Sequence, residues 1–249
     1  MTELADTTSG GGWRPIVRRV ARRVTAPVGT VRAVRTPSDK FVVTYDDGPD
    51  PPGTTAVLSA LADHGVTATF FVLMPRARRY PGLLAEIAAA GHEIALHGED
   101  HRRLTQLPAA QVRRRLAAAR AELEDLTGAP VRWFRPPYGA QLPRTWLAIR
   151  QAGLEPVGWG PTPYDWLHLP EHELAERALS RAAPGEILLA HDAWPGPDVG
   201  VDDGPAPPID RGKLARLMLA GLAERRLVGC SLRDALADGE LLRWAWFRR

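Results

Sequence analysis

The chain has 249 residues, 45% of them hydrophobic and 24% charged, with a formal net charge of +3 at pH 7. It is long enough for one barrel-sized domain or two small ones. Its acidic residues are interspersed with basic ones, which speaks against a nucleic-acid surface, and its single cysteine, Cys230, excludes a disulfide framework.

The first twelve residues are small and polar. Trp13, Ile16, Val17, Val20 and Val24 then fall at helical spacing, with arginines at 14, 18, 19, 22 and 23 on the remaining face. This reads as an amphipathic helix that packs its apolar stripe on the domain; contact of residues 13–24 with an anionic membrane surface is the alternative. The arginines interrupt every apolar run, so neither a secretory signal nor a transmembrane segment is read here. A soluble, cytoplasmic protein is expected, at the membrane surface in the alternative case. Residues 1–39 are set apart as an N-terminal extension, 40–236 as the domain and 237–249 as an aromatic and basic tail.

Phe41 to Tyr45 is a run of β-branched and aromatic residues, the pattern of a buried strand. It ends in the adjacent carboxylates Asp46 and Asp47 and a Gly48-Pro49 turn. Successive strand residues face opposite sides, so the two carboxylates cannot duplicate each other. Adjacent carboxylates repel unless a cation or a shared proton relieves them. A metal held by one, with the other free as a base, satisfies both conditions. The same four letters recur at Asp202-Asp203-Gly204-Pro205 with no strand before them, and that copy reads as a surface loop. An EF-hand is excluded, because the twelfth position counted from Asp46 is Val57.

Helices are predicted over 53–63, 81–90, 108–127, 143–152, 170–182 and 213–226, alternating with strands over 67–73, 92–96, 131–134, 155–159, 186–190 and 228–232. Repeated βα units imply a parallel sheet with helices outside. About seven such units predict a single α/β domain, a distorted or incomplete (β/α) barrel. The Pro- and Gly-rich stretch 193–210 reads as a loop. The tail Arg243-Trp244-Ala245-Trp246-Phe247 reads as a packed end rather than a recognition element.

In such a barrel, catalytic groups collect after the C-terminal ends of strands. Asp46 and Asp47 follow the first strand, and His97 and His101 the third. Arg135-Pro136-Pro137-Tyr138-Gly139 follows the fourth, Asp165-Trp166 the fifth and His191-Asp192 the sixth. The His97/His101 spacing lets both imidazoles face one metal if the turn is helical. His168 and His172 share that spacing but straddle Pro170, which starts a helix and leaves His168 outside it. Two imidazoles and one carboxylate leave coordination positions open, the pattern of a catalytic site.

These clusters, in this order, resemble the motifs of the NodB-homology polysaccharide deacetylases, carbohydrate esterase family 4, over about residues 40–232. The family's known fold is a distorted (β/α) barrel. The resemblance implies Asp46 as general base and Asp47, His97 and His101 as ligands of a divalent metal, zinc first, with Co2+ or Ni2+ as alternatives. It further implies that Arg135 positions the base, braced by Asp165, and that the Tyr138 backbone N–H helps hold the oxyanion. Trp166 would wall the pocket, Leu189 line the acetyl pocket, and His191 act as general acid. Two positions depart from the pattern: Gly98 stands where the family usually has Ser or Thr, which predicts a looser histidine loop, and Thr162 stands where it has Asp.

The activity implied is removal of an N-acetyl group from an N-acetylated sugar or glycoconjugate. The alternatives are a deacylase of a non-sugar amide or O-acetyl ester using the same site, and a carbohydrate-binding pseudoenzyme. A cytoplasmic location would favour a nucleotide-linked or lipid-linked sugar over a polymer.

Overall fold

The computed structural model describes residues 29–248; the amphipathic stretch 13–24 lies outside the described residues. Strand β1 (Thr30–Arg35) comes first, followed by β2 (Lys40–Asp46) and α1 (Pro51–Asp63). Then come β3 (Thr69–Leu73), α2 (Met74–Arg79), α3 (Pro81–Ala89), β4 (Glu93–Gly98), α4 (Ala109–Thr127) and β5 (Trp133–Phe134). The chain continues through α5 (Pro143–Gln151), β6 (Glu155–Pro156), α6 (Glu171–Leu179), β7 (Ile187–His191) and α7 (Arg211–Glu224). It closes with β8 (Val228–Cys230), α8 (Leu232–Ala235) and β9 (Glu240–Trp244).

The expected α/β architecture is observed, with seven parallel strands in one sheet: six in the order β6-β5-β4-β3-β2-β7, and β8 paired with β2 off that path. The second half of β2 pairs with β3, and its first half, Lys40 to Val42, pairs with β8. Its run of apolar residues is buried on both faces, as a central parallel strand requires. Phe41, Val43 and Tyr45 pack outward with Val57 and Leu61 of α1, whereas Val42 joins Phe71, Ala95, Trp133 and Ile187 in a second, inner cluster. Period-two alternation thus divides the core into a helix-facing layer and a barrel interior.

No continuous ladder joins β6 to β7 among the described residues. Strand β1 lies across that gap through isolated bridges, Val31 to Val157 and Ala33 to Glu186. It also pairs antiparallel with β9, forming a two-stranded ribbon.

Several local features differ from the expected elements. Strands β1 and β9 and helices α2 and α8 are additional, and the strands expected over 131–134 and 155–159 are confined to Trp133–Phe134 and Glu155–Pro156. The predicted strand 228–232 stops at Cys230, because Ser231 caps α8 by accepting a hydrogen bond from the Asp234 N–H. Among the described residues no helix is long and apolar enough to cross a membrane.

Candidate active site and metal centre

Strand alternation assembles the site. Thr44 and Asp46 share the inward parity of Val42 on β2, and His97 shares that of Ala95 on β4. Arg135 shares the parity of Trp133 at the end of β5, and Leu189 and His191 that of Ile187 on β7. Asp47 leaves the strand with φ 81, a left-handed conformation that turns its carboxylate toward the histidines.

The Asp47 Oδ1 atom lies 3.3 Å from His97 Nε2 and 3.4 Å from His101 Nε2. All three residues are buried, with one ligand atom from each within 4.8 Å of the others. His97 Nδ1 is 2.8 Å from the Arg135 carbonyl oxygen, which can only accept. Nδ1 therefore carries the hydrogen, and Nε2 presents a lone pair toward Asp47. Burial pushes His101 down to about 4, keeping that imidazole neutral near pH 7. Burial opposes the charge of Asp47, but His101 and His97 beside it hold the carboxyl below the usual range.

Asp47 Oδ1 is buried and has no hydrogen-bond partner. Two imidazole nitrogens and one carboxylate oxygen facing one another, with an orphaned acceptor among them, fit a divalent cation. The turn that carries the histidines is a bend, not a helix: His97 lies one residue before the end of β4, and His101 follows on the bend.

Arg135 is completely buried. Its Nη1 donates to Asp46 Oδ1 at 2.6 Å and to Thr44 Oγ1 at 2.7 Å, and its Nη2 donates to the Gly158 carbonyl at 3.1 Å. The guanidinium lies 4.2 Å over the Phe71 ring. Asp165 is not among these partners, and Arg135 Nε has none, so the expected brace of Arg135 by Asp165 is corrected. Asp165 instead accepts from His191 twice, from Nδ1 at 2.7 Å and from the backbone N–H at 2.8 Å. The cause is topological: Asp165 lies in the loop after β6, which crosses to β7, whereas Arg135 points across the interior to β2.

Burial works against a charged His191, but the neighbouring Asp165 carboxylate lifts it to about 9. Arg211 fixes the same segment, donating to the His191 carbonyl at 2.6 Å. Asp192, adjacent in sequence, faces elsewhere. It accepts from the Gly48 N–H at 3.1 Å and from Thr54 Oγ1 at 2.5 Å, securing the turn that carries Asp47. Burial raises its carboxyl to about 6.

Asp46, Asp47, His97, His101, Tyr138, Trp166, Leu189 and His191 all line one cavity of about 560 Å³. Tyr138 sits on a tight turn at φ 58, its ring 4.4 Å from that of His101. The Trp166 ring meets His191 edge-on at 5.8 Å. Thr162 also lines the cavity and accepts a bond from the Tyr164 N–H at 3.3 Å. His168 and His172 are absent from this lining.

Two contributors escaped the sequence reading. Asp203, read as part of a surface loop, accepts from the Tyr138 hydroxyl at 2.7 Å and lies 3.5 Å from His101 Nδ1. Arg76, on the unexpected helix α2, is buried and donates to the Asp47 carbonyl at 3.2 Å and to Asp198 at 2.8 Å. Neither had a local signal, since each acts through a loop distant in sequence.

Gly98 has a steric cause. A Cβ at that position would lie 2.5 Å from the Asp100 carbonyl oxygen, so the bend admits no larger residue without moving backbone. The loop has other ties: Asp100 is paired with Arg115 at 2.7 Å, and the His101 N–H donates to the Val199 carbonyl at 2.9 Å. Gly98→Ser, which restores the family's usual hydroxyl, is expected to destabilise the fold by about 1–3 kcal/mol through overpacking. A urea midpoint at or above that of the wild type would show that the bend relaxes freely.

The family profile described as polysaccharide deacetylase matches residues 33–157. The chain is similar to the chitooligosaccharide deacetylase of Azorhizobium caulinodans, at 34% identity over 169 residues, which is 68% of this chain and 80% of that protein. It is also similar to the solved structure of a family 4 carbohydrate esterase from Streptomyces lividans in complex with acetate. There the TM-score is 0.68 at 25% identity, covering 84% of this chain and 98% of that one. A CE4 family pseudoenzyme from Bacillus anthracis shares the fold, with a TM-score of 0.71 at 20% identity over 82% of this chain and 68% of that one.

Proposed function

Because this chain belongs to the polysaccharide deacetylase family, we propose that it is a metal-dependent hydrolase removing N-acetyl groups from an N-acetylated sugar. The observation that carries this reading is one cavity holding a buried Asp-His-His triad together with an arginine-paired carboxylate and a carboxylate-paired histidine.

Asp47, His97 and His101 would hold the cation, and zinc is the metal we propose for this set of nitrogen and oxygen donors. When bound, it supplies Lewis acidity to the amide carbonyl and makes water easier to deprotonate. Asp46 receives the proton of the attacking water, held in position by its bond to Arg135. The Tyr138 backbone N–H supports the negative oxygen that develops on the former carbonyl. His191, kept as an imidazolium by Asp165, gives its proton to the leaving amine. Leu189 and Trp166 bound the acetyl and sugar positions.

Acetate release from chitooligosaccharides and peptidoglycan fragments by zinc-loaded protein tests the reading. Catalytic turnover that stops on chelation and returns with metal is expected. Absence of turnover on every N-acetylated sugar, with acetate released from O-acetyl esters instead, would replace it with the esterase reading. This chain keeps Asp46, Arg135 and His191 in contact with their partners, which favours an enzyme over a pseudoenzyme.

A further inference from the structure

The cavity continues beyond the proposed catalytic groups to a second wall. Its lining there includes Arg32, Trp159, Arg181, Trp246 and Arg248. The wall begins next to the site, because the Arg135 guanidinium that holds Asp46 is 6.0 Å from the Trp159 ring. Trp159 packs on Trp246 at 4.9 Å, and the Arg248 guanidinium lies 4.8 Å from the Trp246 ring and 5.8 Å from that of Trp159.

This wall is built rather than incidental. Buried Gln141 exchanges two backbone hydrogen bonds with Arg248, and its side chain donates to the Trp246 carbonyl and to Thr30. Trp246 Nε1 donates to the Gly139 carbonyl, so the tail is fastened to the same loop that carries Tyr138.

The charges at this wall are not balanced by the protein. Arg32 is paired with Glu186 at 2.8 Å. Arg181 and Arg248 have no carboxylate partner among the described residues. The three carboxylates that line the cavity are Asp46, Asp47 and Asp203, and all three are engaged around the triad. A neutral sugar polymer could accept hydrogen bonds from two guanidinium groups but would not compensate their charge.

We propose that this wall is a subsite for a phosphate ester carried by the acetylated sugar, so that the substrate class is a glycosyl phosphate. The inference rests on the deacetylase reading. Guanidinium forks match phosphate oxygens in a bidentate way, and stacking on indole restricts Arg248 before the ligand arrives. The Trp159 and Trp246 rings supply faces for the apolar side of a sugar ring. Free sugar phosphates, nucleotide diphosphate sugars and polyprenyl-phosphate sugars share this chemistry.

The test compares zinc-loaded wild type with the Arg181→Gln/Arg248→Gln double variant. The kcat/KM for N-acetylglucosamine 1-phosphate is divided by that for N-acetylglucosamine. A wild-type preference of roughly 10-fold or more is expected. It should shrink with added salt and fall several-fold in the double variant, while Arg181→Lys/Arg248→Lys retains part of it. No preference in the wild type, or an equal preference in the double variant, overturns the subsite. UDP-N-acetylglucosamine and a polyprenyl-phosphate N-acetylglucosamine in detergent form two further arms, and the arm with the higher kcat/KM identifies the source of the phosphate. If no sugar is deacetylated, the catalytic reading fails separately. Calorimetric binding of N-acetylglucosamine 1-phosphate then decides the subsite, supported if the double variant loses it and refuted if both proteins bind alike.

Discussion

Asp46→Asn should lower kcat by roughly 100-fold or more while the protein keeps its metal, and Asp47→Asn should lose the metal. The two carboxylates are neighbours in sequence, yet they occupy different environments. Asp46 ends the strand on its inward face and is fixed by Arg135 at 2.6 Å. Asp47, at φ 81, has turned out of the strand and meets the two Nε2 atoms at 3.3 and 3.4 Å. An amide at 46 keeps the size and the bond from Arg135 but cannot take a proton from water. An amide at 47 removes the only anionic donor of the triad. Metal content by atomic absorption, together with single-substrate kinetics, separates the two effects. If Asp46→Asn were the variant that released the metal, the assignments would be reversed.

Asp165→Asn should move the alkaline limb of kcat/KM to lower pH by about one unit or more. His191 must be protonated to act as an acid, so activity falls as pH rises through its pKa. The Asp165 carboxylate holds that value up, at about 9 against burial. Asparagine can still accept from Nδ1 but no longer supplies the charge, so the imidazolium is lost at lower pH. His191→Ala, by contrast, should lose roughly 100-fold in kcat with no shift of this kind left to follow. An alkaline limb unchanged in Asp165→Asn would remove Asp165 from the proton-transfer machinery and return it to a structural role.

Much of this was legible in the sequence because strand alternation and the positions of strand ends are local properties. Phe41 to Tyr45 announced a central strand, and its parity alone places Asp46 inside. What was not legible depends on contacts between distant segments. Strand β1 was missed because Arg32 breaks its apolar pattern, and that charge is accommodated by Glu186, 154 residues away, and by the Trp244 ring. Helix α2 begins with Met74-Pro75 and carries three arginines, so nothing in its periodicity marks a buried element, yet Arg76 is among the residues that hold the Asp47 turn. The partner of Asp165 was misassigned for a related reason. Which of two basic groups a loop carboxylate meets is decided by strand order in the sheet, and spacing along the chain does not encode that order.

The ribbon of β1 and β9 carries a consequence for how such a protein diversifies. The acid, the base and the triad all arise from residues 46–191, on the parallel sheet and its loops. Arg32, Trp246 and Arg248 arise from the outer segments, joined to that sheet by isolated bridges and the Gln141 clamp. Reaction chemistry and the Arg32, Trp246 and Arg248 part of the far wall are therefore encoded in separable stretches, while Trp159 and Arg181 of that wall stay with the sheet. Recombining the two outer segments as a pair between relatives would change what is admitted without altering how it is cleaved. The two must travel together, because Thr30, Gln141 and Trp246 share one hydrogen-bonded junction.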